Sequence, residues 1–131
     1  MSPSKIYYVE DDRDDAELLT EVFSEKGYDI RVFPNPIELF HQLHSDELLP
    51  TLIILDINLP LMDGIEALRL LKAEPKFLRI PVAILSTNPR QGSLVDEKQL
   101  YFMKPAQFAD YEGIVAKMLA HAANRGGNGE F

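Results

Sequence analysis

Thr51-Leu52-Ile53-Ile54-Leu55-Asp56 is an almost unbroken apolar run that ends on a carboxylate. Such a run suits the central strand of a parallel sheet with helices over both faces. Upstream, Lys5 to Val9 reads as a second short buried strand. Asp12 can cap a helix whose apolar positions Leu18, Leu19, Val22 and Phe23 recur at helical spacing until Gly27 stops it. Asp29 to Phe33 reads as another strand, followed by a helix from Pro36 to about His44. Downstream, Ile65 to Ala73 has helical spacing and ends at Pro75, and Pro81 to Leu85 and Leu100 to Met103 read as the last two strands. Between them, Pro89 to Gln99 has room for about two or three helical turns. A final helix is predicted over about Gln107 to Ala123, burying Phe108, Tyr111, Ile114, Val115, Met118 and Leu119. Strands that alternate with helices require crossovers, which are almost always right-handed, so the pattern predicts an α/β protein with a five-stranded parallel sheet in an α/β/α sandwich.

The 131 residues suit one domain, predicted over residues 4–123, with the Gly- and Asn-rich stretch 124–131 as a disordered tail. No run of about 18 apolar residues is present, and Met1 to Ile6 lacks a signal-peptide pattern, so a soluble cytoplasmic protein is expected. The absence of cysteine excludes disulfides, thiolate nucleophiles and cysteine-ligated metals. His41, His44 and His121 read as polar surface residues. Thirteen basic against twenty-one acidic residues give a net charge of -8, which opposes binding to nucleic acid or an anionic membrane and favours a protein partner.

Chemistry concentrates where the strands end. Glu10 and Asp11 follow the first strand, Asp56 the third, Ser86 the fourth and Lys104 the fifth. In a parallel sheet these ends share the edge at which α/β proteins place ligands. Three carboxylates brought close together repel one another unless a cation compensates, and hard oxygen donors of this kind suit Mg²⁺ together with a phosphoryl group. Taken singly, Glu10 to Asp12 could simply favour a helix N-terminus, Ser86 could be a capping hydroxyl and Lys104 a solvated lysine. Their placement at matching strand ends favours one shared site.

Val9-Glu10-Asp11-Asp12, Asp56 to Gly64, Pro81 to Ser86 and Lys104-Pro105 resemble, in order and spacing, the receiver domain of two-component response regulators. That resemblance implies a doubly wound, flavodoxin-like sheet of strand order 2-1-3-4-5. It implies a stand-alone signalling switch, rather than a metabolic enzyme, in which Asp56 accepts a phosphoryl group from a histidine kinase or a histidine phosphotransfer protein. Asp11 and Asp56 would bind Mg²⁺ directly, Glu10 through a water, and Asn58 through its backbone carbonyl. Lys104 and Ser86 would each meet a phosphoryl oxygen. Tyr101 stands where the family often carries an aromatic that swings inward with the hydroxyl residue, although it reads equally well as a half-buried aromatic of an edge strand. Gly64 and Asp63 read as structural, and Met62 as packing.

Only 17 residues, Thr87 to Met103, separate Ser86 from Lys104, so the fourth helix is expected to be short or irregular. A phosphohydrolase using an aspartyl-phosphate intermediate is a weaker match, because its usual second aspartate two residues past the nucleophile is Asn58 here. A receiver-like scaffold that is never phosphorylated would have no need to hold repelling carboxylates together. Neither G-x-G-x-x-G nor G-x-x-x-x-G-K-[ST] is present to support nucleotide binding.

Overall fold

The computed structural model describes residues 4–88, 95, 96 and 98–128. Its strands are β1 (Lys5–Val9), β2 (Asp29–Phe33), β3 (Leu52–Asp56), β4 (Val82–Ser86) and β5 (Leu100–Met103). Its helices are α1 (Arg13–Glu25), α2 (Pro36–Ser45), α3 (Gly64–Ala73) and α4 (Tyr111–Asn128), the last preceded by a 3-10 turn over Phe108–Asp110. Each of the first three helices starts on a side-chain cap. Asp12, Asn35 and Asp63 accept from the backbone N–H groups of Asp15, Glu38 and Glu66 at 3.0, 2.9 and 2.8 Å, satisfying donors that the helix itself leaves unpaired. Gly27, at φ +88°, supplies the left-handed residue after α1.

The sheet runs β2-β1-β3-β4-β5, and every neighbouring pair is parallel. Because side chains alternate across a strand, the central strands feed two cores. Tyr7, Val9, Ile53, Leu55, Val82 and Ile84 pack with Leu39 and Leu43 of α2 and Ala67 and Leu71 of α3. Ile6, Tyr8, Leu52, Ile54, Ala83 and Leu85 pack on the other face with Leu19 and Phe23 of α1 and Tyr111, Val115 and Met118 of α4. The predicted three-layer sandwich is the fold observed. Each fully buried aliphatic side chain contributes about 1.5–3 kcal/mol over leaving it exposed, so the core itself aligns the strand ends that carry the polar residues.

Three expectations change. Asp56 and Ser86 are the last residues of β3 and β4 rather than the first residues beyond them. Helix α4 continues to Asn128, so residues 124–128 of the predicted disordered tail are helical, while residues 129–131 lie outside the described residues. Nothing in Ala122-Ala123-Asn124-Arg125 blocks a helical backbone, and Gly126 and Gly127 weaken a helix by about 1 kcal/mol each without stopping it as proline would. Phe108 is 41% exposed, because it sits on the 3-10 turn, out of phase with the buried face of α4. The shortened fourth helix predicted within Pro89 to Gln99 falls largely outside the described residues, and Val95, Asp96, Lys98 and Gln99 of that span are not helical.

Candidate functional site

Strand register assembles the site. Val9 of β1 pairs with Leu55 of β3, Asp56 with Leu85 of β4, and Ser86 with Met103 of β5. Glu10, Asp56, Ser86 and Lys104 therefore arrive at one edge. Ladder-type hydrogen bonds extend past the strands and fix this edge: Glu10 N–H to the Phe33 carbonyl (3.0 Å), Ile57 N–H to Leu85 (3.1 Å) and Lys104 N–H to Ser86 (2.8 Å).

Lys104 is the hub. Its ammonium donates to Glu10 Oε1 at 2.5 Å, Asp56 Oδ2 at 2.7 Å and Asp15 Oδ2 at 2.9 Å. Burial by itself would depress the lysine, but these three carboxylates outweigh it and raise its pKa, so the ammonium stays charged. Asp56 is buried, and its other oxygen, Oδ1, accepts from the Asn58 backbone N–H at 3.1 Å. Glu10 is also buried; its Oε2 accepts from the Asp12 N–H at 3.2 Å, and its Oε1 accepts from the Tyr8 hydroxyl at 2.9 Å. Burial, helped by the charge of Asp56, pushes the Glu10 carboxyl up to about 7 against the opposing pull of Lys104.

Glu10, Asp11 and Asp56 each present a carboxylate oxygen within 4.8 Å of the others, with Asp11 exposed to solvent. Hard oxygen donors around an open face fit Mg²⁺, which keeps several of its waters and takes few protein ligands. Ser86 is fully buried; its Oγ donates to the Asn88 carbonyl at 3.1 Å and accepts from the Asn88 N–H at 3.0 Å. Tyr101 is half-buried, and its hydroxyl donates to that same carbonyl at 3.1 Å. The two residues read as a switch pair thus share one acceptor.

Two members of this constellation escaped the sequence reading. Asp15 lies one helical turn past Asp11 on α1, and Tyr8 lies two residues before Glu10 on β1. The loop after Asp56 depends on Gly64, where a Cβ would stand 2.1 Å from the Asp56 carbonyl oxygen. The requirement is close approach rather than an unusual φ, and the Gly64 N–H donates to the Ile57 carbonyl at 2.8 Å. In the same loop Leu61 is 80% exposed at φ 69°, a left-handed conformation that costs a leucine about 1–2 kcal/mol. Leu61→Asn should therefore raise the denaturation midpoint by an equivalent of about 1 kcal/mol in urea melts; an unchanged or lower midpoint would contradict the strain.

The family model described as the response regulator receiver domain matches residues 6–117. The chain belongs to this family. The receiver is 30% identical over 106 residues to the response regulator Rcp1 of Synechocystis, covering 76% of this chain and 72% of Rcp1. It is 29% identical over 128 residues to the sporulation initiation phosphotransferase F of Bacillus subtilis, covering 95% of this chain and all (100%) of that protein. By contrast it spans 13% of the length of RcaC of Microchaete diplosiphon, to which it is 29% identical over 89 residues and 66% of this chain. Among solved structures, the receiver matches the phosphorylated cyanobacterial phytochrome response regulator RcpA with a TM-score of 0.77 at 29% identity, covering 91% of this chain and 96% of RcpA. It matches the Mn²⁺-bound form of Rcp1 with a TM-score of 0.74 at 28% identity, covering 87% of this chain and 93% of that one.

Proposed function

We propose that this receiver accepts a phosphoryl group on Asp56 from the phosphohistidine of a histidine kinase or a histidine phosphotransfer protein, in a Mg²⁺-dependent phosphorelay. The observation that carries this reading is the Lys104 ammonium 2.7 Å from Asp56 Oδ2 within a cluster of carboxylates. A carboxylate oxygen of Asp56 forms the new P–O bond as the P–N bond to the donor imidazole breaks, and the imidazole keeps the electron pair of that bond. Lys104, already charged and held at the acceptor, turns to a phosphoryl oxygen. Ser86 donates its hydroxyl to another on leaving Asn88. Glu10, Asp11, Asp56 and the backbone carbonyl of Asn58 would hold Mg²⁺. The bound ion supplies the positive charge that offsets the phosphoryl oxygens.

The protein is on this reading a switch whose only chemistry is its own phosphorylation and dephosphorylation. Departure of Ser86 from the shared Asn88 carbonyl alters the bond that also holds Tyr101, and a protein partner, not a nucleic acid, reads the changed surface. The alignment over the whole of sporulation initiation phosphotransferase F supports a stand-alone receiver, and the match to phosphorylated RcpA supports acceptance of the group. Histidine kinases present their phosphohistidine in the cytoplasm, where we place the protein; among the described residues no helix is long and apolar enough to cross a membrane.

Intact mass after incubation with Mg²⁺ and acetyl phosphate tests the proposal. The native chain should gain one phosphoryl group, about 80 Da, and Asp56→Asn should gain none. Equal labelling of both chains would refute Asp56 as the acceptor.

A further inference from the structure

Tyr8 is anomalous within β1. It is fully buried on the α1/α4 face among Ile6, Leu52, Ile54 and Phe23, where an aliphatic side chain would pack with no hydroxyl to satisfy. Its hydroxyl donates at 2.9 Å to Glu10 Oε1, two residues further along the chain and one past the end of β1. Glu10 is one methylene longer than an aspartate, with one more side-chain torsion to fix, and it is 3% exposed. Three donors fix it: Tyr8 and Lys104 on Oε1, and the Asp12 N–H on Oε2.

These donors differ in permanence. Lys104 is shared among three carboxylates, and on the function proposed above, on which this inference rests, it is drawn to the phosphoryl group. The Asp12 amide reaches only Oε2, at 3.2 Å. Tyr8 is anchored by the core, carries no charge that another group competes for, and is the donor to Oε1 that no step removes. We propose that Tyr8 is a positioning residue: its hydroxyl keeps the Glu10 carboxylate aimed at the divalent cation when Lys104 lets go. Groups that orient metal-binding carboxylates through a hydrogen bond typically change metal affinity by about 10–100-fold when removed.

The test is Mn²⁺ binding to the full chain, with free Mn²⁺ counted by electron paramagnetic resonance. Tyr8→Phe keeps the ring and its packing and removes the donor, and should weaken Mn²⁺ binding about tenfold. The loss must run through Glu10, so in a Glu10→Gln background the same substitution should change affinity by less than about twofold. A Tyr8→Phe chain that binds Mn²⁺ as the native one does, or that loses tenfold even in the Glu10→Gln background, would overturn the proposal. p-Aminophenylalanine at position 8 restores a donor in the same place and should bind Mn²⁺ within about threefold of native; a tenfold loss there overturns the proposal even if Tyr8→Phe fails to fold. Acetyl phosphate labelling of the same samples separates the two ideas. Mn²⁺ binding without label on Asp56 sinks the phosphoacceptor reading, whereas unchanged Mn²⁺ affinity in Tyr8→Phe sinks the role of Tyr8.

Discussion

Lys104→Met should lower the unfolding free energy by about 3–5 kcal/mol at neutral pH in the absence of divalent cation, because it strips the counter-charge from buried carboxylates. Lys104 is 7% exposed along its side chain and bonds to Glu10, Asp56 and Asp15, whose side chains are 1%, 6% and 32% exposed. Without it, the repulsion between Glu10 and Asp56 loses the ammonium that bridges them. Two controls follow from the same electrostatics. Added Mg²⁺ should recover much of the loss, since a cation bound only by the folded state stabilises by mass action. The deficit should also depend on pH. Glu10 already has its carboxyl pushed up to about 7 in the presence of the lysine. An acid whose folded pKa is raised costs stability as pH climbs from its ordinary value, near 4.3, through that raised value. The deficit of Lys104→Met is therefore largest above pH 7 and shrinks below it as Glu10 protonates. Urea melts at pH 5.5 and 8, with and without Mg²⁺, would read all three effects. A deficit equal at both pH values and unmoved by Mg²⁺ would show that the lysine acts through packing alone.

Gly64→Ala is expected to do comparable damage by a steric route. The added Cβ would lie 2.1 Å from the carbonyl oxygen of Asp56 and 2.9 Å from both the Asp56 carbonyl carbon and the Ile57 Cα. All three are backbone atoms, so no side chain can swing aside. Overpacking a core costs about 1–3 kcal/mol, and a clash between backbones lies at or above the top of that range. Since the displaced carbonyl belongs to Asp56, the proposed acceptor, the variant should also take up acetyl phosphate far more slowly than the native chain, even where calorimetry shows it folded. Native-like melting together with native-like labelling would mean that the loop has slack the packing does not show.

Much of this was readable beforehand because it obeys local rules. The run ending at Asp56, the cap at Asp12, the proline Pro36 in the first turn of a helix, and the strand-helix alternation dictate a parallel sheet, and a parallel sheet brings Glu10, Asp56, Ser86 and Lys104 to one edge whatever the packing details. What could not be read depends on distances across the fold. Tyr8 sits in an apolar run, where an aromatic reads as core, and only the position of Glu10 two residues further along signals that its hydroxyl has work to do. Asp15 reads as one more acid in the first turn of a helix, and its bond to Lys104 spans 89 positions of sequence. Phe108 fits a helical stripe by spacing but precedes the helix by a 3-10 turn. The Gly- and Asn-rich residues after Ala123 read as a tail, whereas α4 runs on through them to Asn128, since glycine weakens a helix without stopping it as proline does.

The hub lysine ties Glu10 and Asp56 together from 94 and 48 positions away in sequence. Contacts of such separation form late, since the entropy of closing long loops must be met before they contribute anything. A nascent chain that has made β1 to β4 but has not yet docked β5 holds Glu10, Asp15 and Asp56 without the ammonium of Lys104. On the proposed function, competence to accept a phosphoryl group would then coincide with completion of the sheet, and a half-made copy on the ribosome would take up none.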